Sequence, residues 1–253
     1  MAELARLRVY PVKALDGIDV DRARITDGGT LEYDREYALF ADDGDPINGV
    51  RTDAVHRLTA AFDPDDRELT LTRDGDERTF SLPVERDSLE RWCGAYFGED
   101  VRLRRDRSGR FVDRQRGGPS VVSTATLREV ASWFDGMTVE SVRRRIRANV
   151  EVDGVPAFWE DRFVGETADG FSIGDVRFEG VEPCVRCIVP ERDPDTGAHD
   201  PTFRQRLVER RRETYPEWVD RDAFRSDYSL MLIADVPPEH RGEALTVGDS
   251  VSW

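Results

Sequence analysis

Along the first hundred residues, short apolar-rich runs alternate with turn chemistry. Leu4–Val9, Val20–Ile25, Tyr37–Phe40, Arg57–Phe62, Glu68–Leu71 and Arg78–Leu82 read as strands. The turns between them are Asp16-Gly17, Asp27-Gly28-Gly29, Asp42-Asp43-Gly44, Asp63-Pro64-Asp65-Asp66 and Asp74-Gly75. Strands this short, with this punctuation, predict a small barrel or sandwich. A helix should follow over Asp87–Phe97, where Leu89, Trp92, Cys93, Tyr96 and Phe97 recur at helical spacing on one face. Cys93 on that face reads as core.

The second half mixes the two periods. Ser120–Val122 reads as a strand and leads into a helix from about Thr124. Leu127, Val130, Ala131 and Phe134 share one face of that helix, and Thr126 and Glu129 stand at capping-box spacing. A short helix over Thr138–Arg144 and a longer one over Phe203–Glu213 are expected. Strands are expected at Arg147–Val152, Phe171–Ile173, Val176–Val181, Val185–Val189 and Tyr228–Ala234. Ile173-Gly174-Asp175-Val176 and Val247-Gly248-Asp249-Ser250-Val251 share a pattern that fits tight connections between barrel strands. The expected class is α+β and β-rich. Between the halves, residues 101–116 hold seven arginines against Asp106 and Asp113, and Gly117-Gly118-Pro119 follows as a breaker. We place a domain boundary near residue 112, giving units 1–112 and 113–253; the arginine run is either a solvated linker or an anion-binding segment.

The 253 residues carry a formal charge of −15, and only one basic residue, Lys13, is not arginine. High acidity with almost no lysine fits a salt-rich cytoplasm, where carboxylates keep a chain hydrated. Against that background Lys13 stands out as a compact ammonium. The acidic balance excludes a general nucleic-acid binder. No apolar run is long enough for a membrane span, and Glu3, Arg6 and Arg8 break up any secretory signal. Three cysteines cannot build a disulfide framework. The standard signatures of serine hydrolases, P-loop enzymes and dinucleotide-binding folds are all missing.

The strongest local signal is Pro183-Cys184-Val185-Arg186-Cys187, followed by Asp193-Pro194-Asp195-Thr196-Gly197. Its C-x-x-C pair admits four readings: half of a zinc site, a redox pair, two buried small hydrophobes, or a soft thiolate ligand for a cofactor metal. The cationic and polar residues Lys13, Arg35, Arg147, Asn149 and Arg186 lie in separate segments. They could hold an anion only if the fold brought them together.

Taken in order, these segments resemble the MOSC family, in its two-part subgroup with an N-terminal β-barrel domain. The resemblance rests on Val9-Tyr10-Pro11-Val12-Lys13, Asp34-Arg35 with Tyr37, Val121–Leu127, Arg147-Ala148-Asn149, Glu160-Asp161, the cysteine motif with its Asp-Pro-Asp-Thr-Gly, and Val247-Gly248-Asp249. It implies an N-terminal barrel-like domain, a C-terminal MOSC barrel with a few helices, and molybdenum cofactor as the ligand. Carried over residue by residue, Cys187 becomes the molybdenum ligand. Lys13, Arg35, Arg147 and Asn149 hold the pterin and phosphate. Ser123 and Thr124 add donors at a helix start, Arg186 orients the site, and Tyr228 is the aromatic near the last long strand. Two departures are Ala14, where the subgroup commonly has serine, and Ala148, where it often has proline. The implied activity is reduction of N-hydroxylated substrates such as amidoximes, hydroxylamines and N-oxides. Because an iron–sulfur domain does not follow, electrons are expected from a separate donor, a ferredoxin or a flavin reductase. The alternatives are a sulfur or cofactor carrier with a persulfide on Cys187, and a non-enzymatic binding protein with both cysteines in its core. Glu160 and Asp161 are expected as a solvated acidic pair, with proton relay as the other role.

Overall fold

A computed structural model describes residues 1–107, 111–112, 118–165 and 168–253. Among the described residues, fifteen strands and four α-helices give the α+β, β-rich architecture expected. The first half contains β1 (Glu3–Val9), β2 (Ile18–Val20), β3 (Arg22–Arg24), β4 (Tyr37–Phe40), β5 (Thr59–Asp63), β6 (Glu68–Arg73), β7 (Asp76–Ser81), α1 (Arg86–Phe97) and β8 (Arg102–Arg105). After it come β9 (Ser120–Ser123), α2 (Thr124–Ser132), α3 (Val139–Ile146), β10 (Val150–Asp153), β11 (Phe171–Ile173), β12 (Val176–Val185), α4 (Phe203–Thr214), β13 (Ser229–Asp235), β14 (Ala244–Thr246) and β15 (Val251–Ser252).

The main sheet runs β15-β11-β12-β13-β9-β10-β1-β2. Only the β9–β10 pair is parallel, with Val121 beside Val150; the other pairs are antiparallel. A bridge between Glu3 and Ser250 brings the β15 end back to β1, and Leu4 donates its N–H to Asp249 at 2.8 Å. The sheet thus curls into a barrel in which the β15 end meets the start of β1, which satisfies backbone groups that an open edge would expose. Its interior is aromatic and aliphatic: Trp159, Phe163, Phe171 and Phe178 pack with Leu4, Leu7 and Val152. A second core joins β4 to β8 and α1, with Leu69, Leu71, Leu89 and Cys93 inside. Cys93 is fully buried as expected, and burial pushes its thiol pKa up to about 12. A third core lies under α2, α3 and α4. Among the described residues, no helix is long and apolar enough to cross a membrane.

Several local expectations shift. The expected strand 20–25 is divided into β2 and β3. Residues 53–57 form a 3-10 turn before β5. The cap of α2 is Ser123, whose Oγ accepts the Thr126 N–H at 3.0 Å, so the N-cap lies three residues before the Thr126 of the expected box. Part of the arginine run is a strand, not a linker. In β8 Leu103 points into the core while its flanking arginines reach carboxylates, Arg102 to Glu90 at 2.9 Å and Arg105 to Glu36 at 2.5 Å. Arg110, Asp113, Arg114, Arg116 and Gly117 lie outside the described residues.

The acidic pair Glu160-Asp161 is not solvated. It sits in a 3-10 turn over Trp159–Phe163, with Glu160 at 0% and Asp161 at 4% exposure. Arg211 of α4, itself fully buried, donates to Asp161 at 2.5 Å and lies over the rings of Phe158 and Tyr215. Glu160 accepts the Ser123 N–H at 3.2 Å through Oε2. Its Oε1 has no partner.

Candidate functional site

The Cys184–Cys187 motif straddles the end of a strand. Cys184 is the penultimate residue of β12 and is buried. The expected strand at 185–189 does not form; the chain leaves β12 at Val185 and turns through a 3-10 segment at Val189–Glu191. Cys187 is therefore exposed, and all three cysteines are free thiols. Arg186 folds back beneath the loop, with Nη1 donating to the Cys184 sulfur at 3.1 Å and Nη2 to the Ile146 carbonyl at 3.0 Å. One cysteine packs inside while the other faces solvent.

Cys187 opens onto a cleft of about 520 Å³. Its walls come from the Tyr10–Gly17 segment, Arg35, the 48–56 loop, the C-terminal end of α3 and the end of β12. Nine cationic side chains line it, Arg8, Lys13, Arg35, Arg144, Arg145, Arg147, Arg186, Arg192 and Arg225, against the carboxylates of Asp16 and Glu182. In a chain of charge −15 this is a strong local inversion.

The Tyr10 ring holds part of that cluster together. Arg147, Arg35 and Arg8 lie over it, with guanidinium carbons 4.1, 5.0 and 6.0 Å from its centroid. Each is also tied at the backbone or to a carboxylate. Arg147 donates to the Leu15 carbonyl at 2.6 Å, Arg8 to the Gly17 carbonyl at 2.7 Å, and Arg35 pairs with Asp34. Gly17 must lack a side chain, because a Cβ there would come within 2.7 Å of the Tyr10 ring. Arg147 caps α3 in the left-handed region (φ 58°), where the sequence reading began a strand, and Arg35 is also left-handed (φ 53°). The Lys13 backbone is fixed by its N–H to the Tyr37 carbonyl at 2.8 Å.

Burial, with Arg35 nearby, brings the Arg147 pKa down to about 10, so it stays cationic at neutral pH. Among the described residues no carboxylate forms an ion pair with Arg147, Arg186, Arg192 or Arg225; the Arg144 and Arg145 charges are offset by Asp195 and Asp193. A buried, unpaired guanidinium is costly unless an anion joins it. His56 also lines the cleft, and burial and then Arg192 push its pKa down, which keeps it neutral. Among the described residues, no group of three or more His, Cys, Asp or Glu side chains could hold a metal ion.

The structure thus brings Lys13, Arg35, Arg147, Arg186 and Cys187 to one cleft and leaves four expected residues outside its lining. Asn149 instead clamps β1 to β9, accepting from Ser120 and donating to the Arg8 carbonyl at 3.0 Å. The Ser123 hydroxyl caps α2, and Thr124 donates to Glu151 at 2.9 Å. Tyr228 is buried, donating to Glu191 at 3.3 Å; its carbonyl, not its ring, holds the Arg186 N–H at 2.9 Å. Sequence reasoning missed Arg144, Arg145, Arg192 and Arg225, because an arginine among 36 carries no mark of its own, and His56, a lone histidine outside any motif.

Comparison with known proteins gives a consistent picture. Residues 1–137 match the family model of the MOSC N-terminal beta barrel domain, and residues 116–252 match that of the MOSC domain. The chain is 28% identical over 218 residues to the molybdenum cofactor sulfurase of Caenorhabditis elegans, a stretch covering 77% of this chain but 29% of that protein. It is 25% identical over 235 residues to mitochondrial amidoxime reducing component 2 of Bos taurus, covering 78% of this chain and 68% of that one. The human protein of the same name is 24% identical over 234 residues.

Proposed function

Because the two matching models between them span the chain, it belongs to the MOSC family in the form with an N-terminal beta barrel domain, and from that premise we propose that it binds molybdenum cofactor in the cationic cleft and reduces N-hydroxylated compounds. The observation that carries this reading is the exposed Cys187 thiol on a cleft rich in unpaired arginine. The residues present fit the group. With no cluster of protein ligands among the described residues, a metal at Cys187 must bring most of its own coordination, as a pterin dithiolene does. The cofactor's phosphate needs cations, and Lys13, Arg35 and Arg147 supply them beside Tyr10.

In this reading the Cys187 Sγ gives up its proton to become a thiolate ligand. Arg186 steadies the loop behind it through Cys184 and Ile146. Arg147, held by the Leu15 carbonyl and the Tyr10 face, meets the phosphate already oriented. When bound, the molybdenum centre supplies the two-electron chemistry of N–O cleavage, in which an N-hydroxyl group, two electrons and two protons give N–H and water. In this reading the electrons come from a separate donor, a ferredoxin or a flavin reductase. The exposure of Cys187 also favours a second reading, a sulfur carrier that holds a persulfide there for transfer.

The test is elemental analysis of protein purified from its own host, with benzamidoxime reduction driven by reduced viologen. Near-stoichiometric molybdenum and turnover, both lost in Cys187→Ala, are expected. A molybdenum-free protein with one extra sulfur on Cys187 would favour the carrier instead.

A further inference from the structure

The cleft holds more positive charge than its proposed cofactor uses. Arg147 stands at the Tyr10 end with Lys13 and Arg35, where a phosphate of about −1.5 to −2 would occupy it. Arg186 lies behind the cysteine loop. Arg192 and Arg225 have no counterpart. Arg192 is fixed in place: its Nε donates to the Gly49 carbonyl at 3.0 Å and its Nη1 to the Gly197 carbonyl at 3.2 Å. Both acceptors are uncharged, and Nη2 has no acceptor among the described residues. Arg225 is exposed, lines the same cleft and makes no hydrogen bond or ion pair among the described residues. His56, packed beneath Gly49 next to Arg192, is neutral and competes for no anion.

Apolar surface accompanies these two charges. Val50 (55% exposed) and Val185 (51% exposed) line the cleft, the latter two residues before Cys187. A ligand reaching the thiol meets apolar side chains and two guanidiniums that, among the described residues, form no ion pair with a carboxylate; Asp53 lies near enough to feel the Arg192 charge but does not pair with it. The acidic chain as a whole repels anions, so a preference for one must be local, made by direct contact.

We propose that Arg192 and Arg225 form a second anion site, which selects N-hydroxylated substrates with an apolar body and a carboxylate. This rests on the reading of the cleft as an N-reducing site. Arg192 is held by two carbonyls and presents Nη2 to the carboxylate, and the exposed Arg225 supplies the second cation from the same cleft.

The test compares benzamidoxime with its 4-carboxylate on the molybdenum-loaded protein, using reduced viologen as donor. The carboxylate should show about tenfold higher kcat/KM, mostly through KM, the worth of one charge-assisted contact. Arg225→Gln should bring the ratio of the two substrates near parity, and Arg225→Lys should keep most of it. Arg192→Gln should act likewise. Arg225 is exposed and makes no hydrogen bond or ion pair among the described residues, so its substitution leaves the framework intact even if the Arg192 variant fails to fold. Calorimetric binding of the carboxylate gives a readout apart from turnover and should weaken in Arg225→Gln. Equal kcat/KM for the two probes with binding insensitive to Arg225 would overturn the anion site and leave the proposed reaction standing. Arg225-dependent binding with neither probe reduced would do the reverse.

Discussion

Replacing Glu160 with glutamine probes the buried charge cluster directly. Glu160 is fully buried, and burial, reinforced by the neighbouring Asp161 carboxylate, pushes its pKa from the ordinary 4.5 up to about 8. Asp161 is also raised by burial, but Arg211 opposes that at 2.5 Å, so Asp161 carries the charge and Glu160 keeps its proton. The unfolded chain loses that proton near pH 4.5 and the folded one near pH 8. Between those values the folded state binds more protons, so stability falls as pH rises. The contribution is complete below the unfolded value and lost as pH climbs through the folded one, with a slope of at most about 1.4 kcal/mol per pH unit. Glu160→Gln cannot ionise. Urea unfolding of both proteins at about pH 5.5 and about pH 7.5, at fixed ionic strength, should show the variant gaining about 2 to 3 kcal/mol relative to the parent across that interval. Groups common to both proteins cancel in the difference. Parallel stability curves would refute the reasoning, since they would mean that Glu160 titrates alike folded and unfolded.

Asp161→Asn should cost about 3–5 kcal/mol by urea unfolding, because it leaves the fully buried Arg211 without its partner. Adding Arg211→Met should recover much of that, and equal instability of the double variant would argue against the pair. Gly17→Ala should drive a methyl against the Tyr10 ring, costing about 1–3 kcal/mol and lowering molybdenum retention as Arg147 and Arg35 lose their shared face. Unchanged metal content in a destabilised variant would separate the ring from cofactor binding.

Much of the fold was legible because alternation and helical spacing are local. β1, β4, β6 and α1 fall close to where their patterns place them, and the paired Gly-Asp segments are turns between strands. β8 was not legible. It has one inward residue, Leu103, and its arginines read as a linker or an anion-binding segment until Glu36 and Glu90 from other segments stand opposite them. Glu160 and Asp161 were read as solvated for a related reason: Arg211, which makes their burial possible, lies fifty positions away on a helix with weak patterning. At the cleft, a motif carries identity but not direction. Lys13, Arg35, Arg147 and Cys187 reach one space, whereas Asn149, two residues from Arg147, turns the other way to tie strands together. Arg192 and Arg225 belong to no motif, and what marks them, the lack of an ion pair among the described residues, is visible only in the fold.

The seam between Glu3 and Ser250 sets the order of events during synthesis. β1 is made before its partners: one flank must wait for β10, and on the other only Leu7–Val9 can pair early, with β2, while the Glu3 end waits for the stretch around Ser250. Until then its buried leucines lack their final neighbours, and a nascent chain stalled short of that seam would present them to chaperones. With Ala2 and Val251 hydrogen-bonded at 3.0 Å, a permuted gene that joins these ends and opens a surface turn elsewhere would let the seam form early and hasten folding.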